Sequence, residues 1–132
     1  MAEIEPTGQP TIRAVAMPHD LNANGDVFGG WLVSQMDLAG GVAAGLRAEG
    51  RVVTVAIDAM HFHKPMKLGD LLSCYCELEK IGRTSLAYRV EAWARRRSGG
   101  PGEKITEGRF TYVAIGADGR PRPVPPESGT GW

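Results

Sequence analysis

The sequence lacks the features that mark membrane, secreted and nucleic-acid-binding proteins. Fifteen basic residues balance fifteen acidic ones, whereas a non-specific nucleic-acid binder normally has a basic excess. No apolar run reaches the roughly 18 residues of a membrane span, and residues 1–10 show no basic region followed by an apolar one, as a secretory signal would. We therefore expect a cytoplasmic protein that binds neither a membrane nor nucleic acid.

Cysteine is scarce as well. Only Cys74 and Cys76 are present, two residues apart in a predicted strand, where same-face neighbours are poorly placed for a disulfide. We interpret them as reduced thiols, which fits a cytoplasmic protein. A formal net charge of zero also provides little self-repulsion, and this favours a subunit that associates.

Hydrophobic periodicity predicts one domain over residues 11–118, with a long helix and five strands. The strands are predicted at 11–17, 51–62, 71–81, 84–96 and 105–115, and the helix at 28–48. Residues 1–10 are interpreted as a loose leader, and residues 119–132 as a Pro/Gly-rich tail that cannot continue a sheet. Because the connections between the last four strands are short, we expect these strands to pair antiparallel in succession.

The predicted helix is apolar nearly all round. Between Val27 and Leu46 its only polar side chains are Ser34, Gln35 and Asp37, a pattern typical of a buried helix. The simplest arrangement is an α+β fold in which a curved five-stranded antiparallel sheet wraps around the central helix. One helix cannot cover both faces of such a sheet, so the other face either meets a partner or carries polar residues.

Asp37 is the most informative residue of this helix. Its helical neighbours three, four and seven positions away are mostly small: Gly30, Val33, Ser34, Gly40, Gly41 and Ala44. Each glycine inside a helix costs about 1 kcal/mol relative to alanine, so something is expected to approach this face closely. Either the helix packs tightly and Asp37 bonds to a strand, or a carboxylate with a proton-handling task lies beside a narrow slot.

A polar, glycine-rich segment, 22–31, leads directly into the helix. The first turn of a helix presents unpaired N–H groups, and side chains are missing at Gly29 and Gly30, so a ligand oxygen could approach there and be polarised. The alternative is a helix start chosen for close packing, with Asn24 as a turn residue or N-cap. A reacting carbonyl could lie between these donors and Asp37 only if the chain geometry or a second subunit brings them together.

At this point a family resemblance is visible. The segment 24–32, Asn-Gly-Asp-Val-Phe-Gly-Gly-Trp-Leu, followed by Gln35-Met36-Asp37, resembles the acyl-CoA thioester hydrolases of the hotdog fold. The similarity is greatest to the short, single-domain, YciA-like bacterial branch. Supporting matches lie at 50–55, Met60, Phe62, Pro65, 68–70, 82–85 and 110–114, so that the resemblance covers residues 11–127.

The resemblance implies an activity and an assembly. The expected reaction is hydrolysis of an acyl-CoA to a free acid and CoA, without a metal or other cofactor. Paired subunits are expected to join their sheets edge to edge, commonly as trimers of such dimers, which makes a hexamer. The active sites would lie at the dimer interface.

The resemblance also assigns roles to individual residues. Asp37 is the catalytic carboxylate, Asn24 is its polar partner from the other chain, and the backbone N–H groups of Gly29 and Gly30 polarise the thioester carbonyl. Residues assigned to substrate or CoA binding are Phe28, Thr54, Gly82, Arg83, Thr84 and Ser85. Because CoA carries several phosphate charges, the basic residues are further candidates for binding it: Arg51, Lys64, Lys67, Arg83 and residues 95–97. Asp37 either activates a water molecule or attacks the carbonyl itself to form a mixed anhydride.

Other interpretations compete with this one. His61 and His63 share one face of a strand, but a lone His-x-His is a weak metal signal without further ligands. A hotdog dehydratase would want a histidine paired with the acid, and only His19 is available near the helix. A non-catalytic acyl-CoA-binding or regulatory module is the third possibility. The run Arg95-Arg96-Arg97 is interpreted as a solvated strand end.

Overall fold

The computed structural model describes residues 3–127, which form one helix packed on a five-stranded sheet. The elements are β1 (Ile12–Val15), α1 (Gly29–Ala48), β2 (Val52–Phe62), β3 (Leu71–Ile81), β4 (Ser85–Arg95) and β5 (Glu103–Ala114), with a short 3-10 helix at Pro18–Asp20. Every predicted element is present, with bounds within two residues of those expected. The predicted α+β fold, a curved antiparallel sheet around a long helix, is confirmed.

The order of the strands corrects one expectation. The sheet runs β1-β3-β4-β5-β2, so β2 pairs with β5 and not with its successor in the chain. All pairings are antiparallel. The eight residues 63–70 can span about 26 Å when extended, more than the roughly 14 Å of three strand spacings. The short connection between β2 and β3 is therefore long enough for these two strands to lie apart in the sheet.

The crossover 63–70 is held by a buried ion pair. Arg96 donates to Asp70 Oδ2 at 2.8 Å and to the carbonyl of Pro65 at 2.9 Å, and Asp70 is almost fully buried. Burial alone would raise the pKa of Asp70, but hydrogen bonds from Arg96 and from the backbone of Lys67 and Arg97 lower it below its ordinary value. The interpretation of Arg96 as a solvated strand end is therefore wrong.

Helix α1 is buried on one side only. Leu32, Met36, Ala39, Gly40, Ala44 and Ala48 face the sheet and are buried. Leu38, Val42 and Leu46, spaced four residues apart on the opposite side, are exposed in the single chain. The helix was expected to be buried all round, but in the single chain it is buried only on the side that faces the sheet. Within residues 3–127, no helix combines the length and hydropathy needed to cross a membrane.

The face of the sheet away from α1 is polar, which is one of the two arrangements expected from the sequence. Arg89 pairs with Glu91 and Glu107, and Glu107 also binds His63 Nε2 at 2.7 Å and Lys104 Nζ at 3.1 Å. Burial alone would raise the pKa of Glu107, but these hydrogen bonds and the charge of Arg89 lower it to about 2. In the single chain, these charged pairs share the face with Trp93, whose Nε1 donates to Glu91 Oε1 at 3.0 Å.

The segments flanking the strands contact the folded domain. Residues 3–10 have no helix or strand, yet Glu5 accepts hydrogen bonds from Tyr75 at 2.5 Å and Arg95 at 3.4 Å. In the tail, Arg122 donates to the carbonyl of Ala48 at 2.7 Å, at the end of α1. The backbone N–H of Val124 donates to the carbonyl of Arg83 at 2.8 Å. Residues 1–2 and 128–132 of the predicted leader and tail lie outside the described residues.

Cys74 and Cys76 are both free thiols. Burial raises the pKa of Cys74 to about 12 and that of Cys76 to about 11. Neither is a reactive thiolate at neutral pH.

Candidate active site

Asp37 lies half-buried in the middle of α1, and its carboxylate is held by two strands. The Thr54 hydroxyl donates to Asp37 Oδ1 at 2.8 Å, and the Tyr112 hydroxyl lies 3.1 Å from the same oxygen. Tyr112 is also 3.0 Å from the main-chain carbonyl oxygen of Asp37. Within residues 3–127, both hydrogen bonds to the carboxylate reach Oδ1, so that Oδ2 has no protein donor.

The two donors come together because β2 pairs with β5. Thr54 and Tyr112 are direct cross-strand partners, and such partners present their side chains on the same face of the sheet. Immediately after Thr54 the register shifts at a β-bulge before Ala56. The extra residue, Val55, allows Ile57 to face the same side as its partner Phe110, which is buried in the core.

The close approach predicted from the glycines is made by Tyr112. A Cβ on Gly40 would overlap the Tyr112 hydroxyl and lie 2.9 Å from ring atom Cζ. At Gly41 the nearest Tyr112 atom would be 3.9 Å away, and at Gly45 the nearest atom would be the carbonyl of Gly50 at 3.4 Å. Gly40 is therefore the one glycine of the three whose missing side chain the packing requires.

Tyr112 is a neutral donor. Burial, followed by the charge of Asp37 and its hydrogen bond, raises the pKa of Tyr112 far above its ordinary value. The phenol therefore stays protonated throughout the neutral range and can donate a hydrogen bond to Asp37.

The start of α1 has the opposite character. Gly29 is the first helical residue, and the preceding Phe28 provides no side-chain cap. Gly29 and Gly30 are exposed, and no acceptor within residues 3–127 pairs with their backbone N–H groups. Asn24 is a turn residue and not an N-cap: its backbone N–H binds Asn22 Oδ1 at 2.9 Å and its side chain is exposed.

One chain does not bring these two groups within reach of the same atom. Asp37 lies seven positions after Gly30 along α1, which is about 10 Å at 1.5 Å per residue. A carbonyl oxygen held about 3 Å from the Gly29 and Gly30 donors would thus be out of hydrogen-bonding range of Asp37 in the same chain. The structure places Thr54 at Asp37, but it does not place Asn24, Gly29 or Gly30 there.

The other residues that were predicted to bind substrate or CoA form two groups, one near each end of β2. The hairpin 82–85 is closed by a 2.8 Å bond from Gly82 N–H to the Ser85 carbonyl. Ser85 pairs with Val113, the partner of Val53, so the hairpin lies at the Asp37 end, about 10 Å across two strand spacings.

Lys64 lies at the other end, beyond Phe62. Its ammonium group binds Glu103 Oε1 at 2.9 Å. The Phe62 ring would be 3.4 Å from a Cβ on Gly29, which places the end of β2 beside the start of α1. Lys64 and Phe28 therefore belong to the helix-start end and not to the Asp37 end.

The histidines have other surroundings. His61 and His63 stack with ring centroids 6.1 Å apart, and His63 binds Glu107 on the polar face of the sheet. His19 is largely exposed and lies beside Asp20. No histidine among the described residues bonds to Asp37, so the pair that a dehydratase would want is absent there. Residues 3–127 contain no group of three or more His, Cys, Asp or Glu side chains able to hold a metal ion.

Tyr112 is the site residue that the sequence did not reveal. Alternation in the last strand is compatible with an inward side chain at 112, but the contact with Asp37 depends on β2 lying next to β5. The stripe of small residues did signal a close neighbour without identifying it.

Comparison with known proteins places the chain in a family. Residues 24–99 match the thioesterase superfamily model. The acyl-CoA thioester hydrolase YciA of Salmonella typhimurium is 47% identical over 123 residues, with 91% of this chain and 92% of that protein covered.

Solved structures give the same result. HI0827 is a hexameric broad-specificity acyl-coenzyme A thioesterase. The structure of its variant with one aspartate replaced by alanine superposes on this chain with a TM-score of 0.89 at 42% identity, covering 94% of this chain and 91% of that one. The hexameric thioesterase y2039 of Yersinia pestis has a TM-score of 0.87 at 47% identity, covering 92% and 99%. The predicted family is confirmed: this chain belongs to the thioesterase superfamily and is a homologue of the YciA acyl-CoA thioester hydrolases.

Proposed function

We propose that this protein hydrolyses acyl-CoA thioesters to a free acid and CoA. The observation that carries the proposal is Asp37, a carboxylate with one oxygen bound by Thr54 and Tyr112 and the other without a donor in the described part of the chain. Such a group can accept a proton from water next to a thioester carbonyl. The reaction requires no metal or other cofactor, and the relatives at 45–47% identity are named for it.

The chemistry follows from the groups present. In the first route, water oxygen bonds to the carbonyl carbon while Asp37 takes its proton. The C–S bond then breaks, and CoA leaves as a thiolate that recovers a proton. In the second route, Asp37 attacks directly, CoA leaves, and water hydrolyses the resulting anhydride. The N–H groups of Gly29 and Gly30 stabilise the developing oxyanion in both routes.

The complete site requires two chains. Strand β2 is a long sheet edge with Val53, Val55 and Ile57 exposed, and the exposed side of α1 adds Leu38, Val42 and Leu46. An unpaired apolar edge of this kind is a template for another strand. This is the surface through which we propose that two copies join their sheets.

Antiparallel pairing of β2 with its copy places opposite ends of the two chains together. With the two-fold axis near Ile57, the middle of β2, Thr54 lies across from residue 60 of the second copy. That residue is close to Phe62 and thus to the start of α1. Asp37 of one chain would thereby meet Asn24, Gly29 and Gly30 of the other. The hexameric relatives support three such dimers per assembly.

A thiol-release assay tests the proposed reaction. Wild-type protein is incubated with acyl-CoAs of varied chain length, and free CoA thiol is followed with time. Release of thiol with Asp37→Asn as the inactive control supports hydrolysis. Binding of acyl-CoA without thiol release would identify a non-catalytic module, and a change in the acyl chain without release would identify a dehydratase.

A mixing experiment tests the two-chain site. Asp37→Asn and Asn24→Ala subunits are co-expressed with different tags, so that half of random dimers contain one of each. If the groups come from different chains, each mixed dimer has one intact site, and total activity approaches about a quarter of wild type. If both groups come from one chain, the mixture shows only the average of the two variants.

We also place the protein in the cytoplasm. Two free thiols in one strand, with Cys74 buried and Cys76 half-buried, are typical of a reducing compartment. Fractionation of the native host, followed by detection of the protein, tests this placement.

A further inference from the structure

We propose that Tyr112 is a positioning residue for thioester hydrolysis: together with Thr54 it occupies Oδ1 of Asp37 and so assigns Oδ2 as the oxygen that faces water or substrate. This inference rests on the proposed function and specifies how the single chain prepares the carboxylate. Tyr112 itself does not touch the reacting atoms.

The geometry distinguishes Tyr112 from a residue that merely fills space. Its hydroxyl has one proton, which a three-centre hydrogen bond shares between two acceptors of Asp37, the main-chain carbonyl oxygen at 3.0 Å and Oδ1 at 3.1 Å. A donor that contacts the backbone and the side chain of one residue fixes the side-chain torsions between them. With Thr54 at 2.8 Å on the same oxygen, the carboxylate cannot rotate without losing both hydrogen bonds.

The protein is built around this contact. Tyr112 is almost fully buried, and its hydroxyl occupies the space that a side chain on residue 40 would fill. Tyr88, on the neighbouring strand, meets the Tyr112 ring edge to face with centroids 6.4 Å apart. The ring is thus fixed by the helix below it and by an aromatic neighbour beside it, which holds the hydroxyl in place.

Tyr88 provides a matched control. Its hydroxyl also bonds to a carbonyl of α1, that of Ala43 at 3.3 Å. It does not bond to Asp37. Removing either hydroxyl deletes one phenol-to-helix hydrogen bond from a buried ring, but only Tyr112→Phe changes the surroundings of the carboxylate.

The test measures kcat and KM for Tyr112→Phe and Tyr88→Phe with one acyl-CoA substrate. We expect kcat to fall about 10-fold or more in Tyr112→Phe with KM changed less than about two-fold, because the loss is in the transition state and not in binding. We expect Tyr88→Phe to retain the wild-type kcat. Equal losses in both variants, or none in Tyr112→Phe, would overturn the inference.

A double-mutant cycle tests whether Tyr112 acts through Asp37. In the Asp37→Asn background, Tyr112→Phe should change the residual rate less than about two-fold, because the group that it positions is gone. A further 10-fold fall in that background would show that Tyr112 acts elsewhere and would contradict the proposal. A wild-type enzyme without thiol release would instead refute the proposed function, so the two failures are distinguishable.

Discussion

The two halves of the proposed site differ in how far a single chain completes them. At the Asp37 half, two hydroxyl donors and a glycine-sized gap hold the carboxylate in one orientation. At the start of α1, the N–H groups of Gly29 and Gly30 have no acceptor within residues 3–127, and Asn24 extends from an exposed turn. The first half is preorganised by its own chain, while the second offers unused donors.

This difference indicates where each kind of mutation should act. A change at the Asp37 half alters a packed, hydrogen-bonded arrangement and is expected to affect both chemistry and stability. A change at the helix start removes groups that bind only a ligand, so it should affect chemistry alone. A change at the β2 edge should separate the halves without altering either one.

The largest effect is expected from Asp37→Asn. This substitution keeps the shape but removes the proton acceptor, and kcat should fall at least about 100-fold, the scale of a lost general base. Steady-state thiol release measures the loss, and circular dichroism checks the fold. Turnover close to that of wild type in the folded variant would exclude Asp37 as the catalytic group.

A charged residue at the β2 edge should separate the halves. Val55 is 55% exposed on β2, and Val15 is 49% exposed on β1 at the opposite edge. Val55→Lys should dissociate the dimer and abolish most activity, because a buried lysine without a partner is costly. Val15→Lys, the matched control, should leave the dimer and its activity intact. Light scattering and thiol release measure both, and an active monomeric Val55→Lys would disprove the shared site.

Asn24→Ala should have a smaller effect. A roughly 10-fold loss of kcat is expected, the scale of one hydrogen bond to a reacting group. The thermal unfolding midpoint should not change, because the Asn24 side chain is exposed and the turn is closed by Asn22. A lower midpoint would mean that this half is structural as well.

Gly40→Ala tests the packing of the Asp37 half. The new Cβ overlaps Tyr112, and overpacking should lower the free energy of unfolding by about 1–2 kcal/mol net of the gain in helix propensity. Gly41→Ala gains the same propensity with only an ordinary contact at 3.9 Å, and it should be stabilising or neutral. Urea unfolding measures the unfolding free energies of both variants. Equal values would show that the packing of Tyr112 does not require a glycine at position 40.

The smallest effect concerns the polar face of the sheet, on the side away from α1. The pKa of Glu107 is lowered in the folded state to about 2 from an ordinary value of 4.5. Its contribution to stability is therefore present above about pH 4.5 and is lost as pH falls toward 2. Glu107→Gln should flatten the decline of unfolding free energy between these pH values. An unchanged acid profile would show that the Glu107 network contributes little.

The sequence predicted the parts of the molecule that depend on local pattern. The bounds of α1 and the strands and the close approach at the glycine stripe beside Asp37 could all be read from periodicity and spacing. The pairing of β2 with β5 could not, because an eight-residue connection is compatible with either neighbour. Tyr112 was missed for the same reason, since its contact with Asp37 exists only in that pairing. Arg96 was misread because its buried partner Asp70 lies 26 residues away.

The interlocking of Gly40 with Tyr112 restricts the order in which this protein can evolve. A larger residue at 40 is tolerated only after the tyrosine has become smaller, yet a smaller residue at 112 first removes a donor from Asp37. Each single step is therefore disadvantageous, although the combined change could restore the packing. Lineages that lose the hydroxyl at this position should carry their compensation elsewhere around the aspartate, and a side chain other than glycine at 40 would identify them.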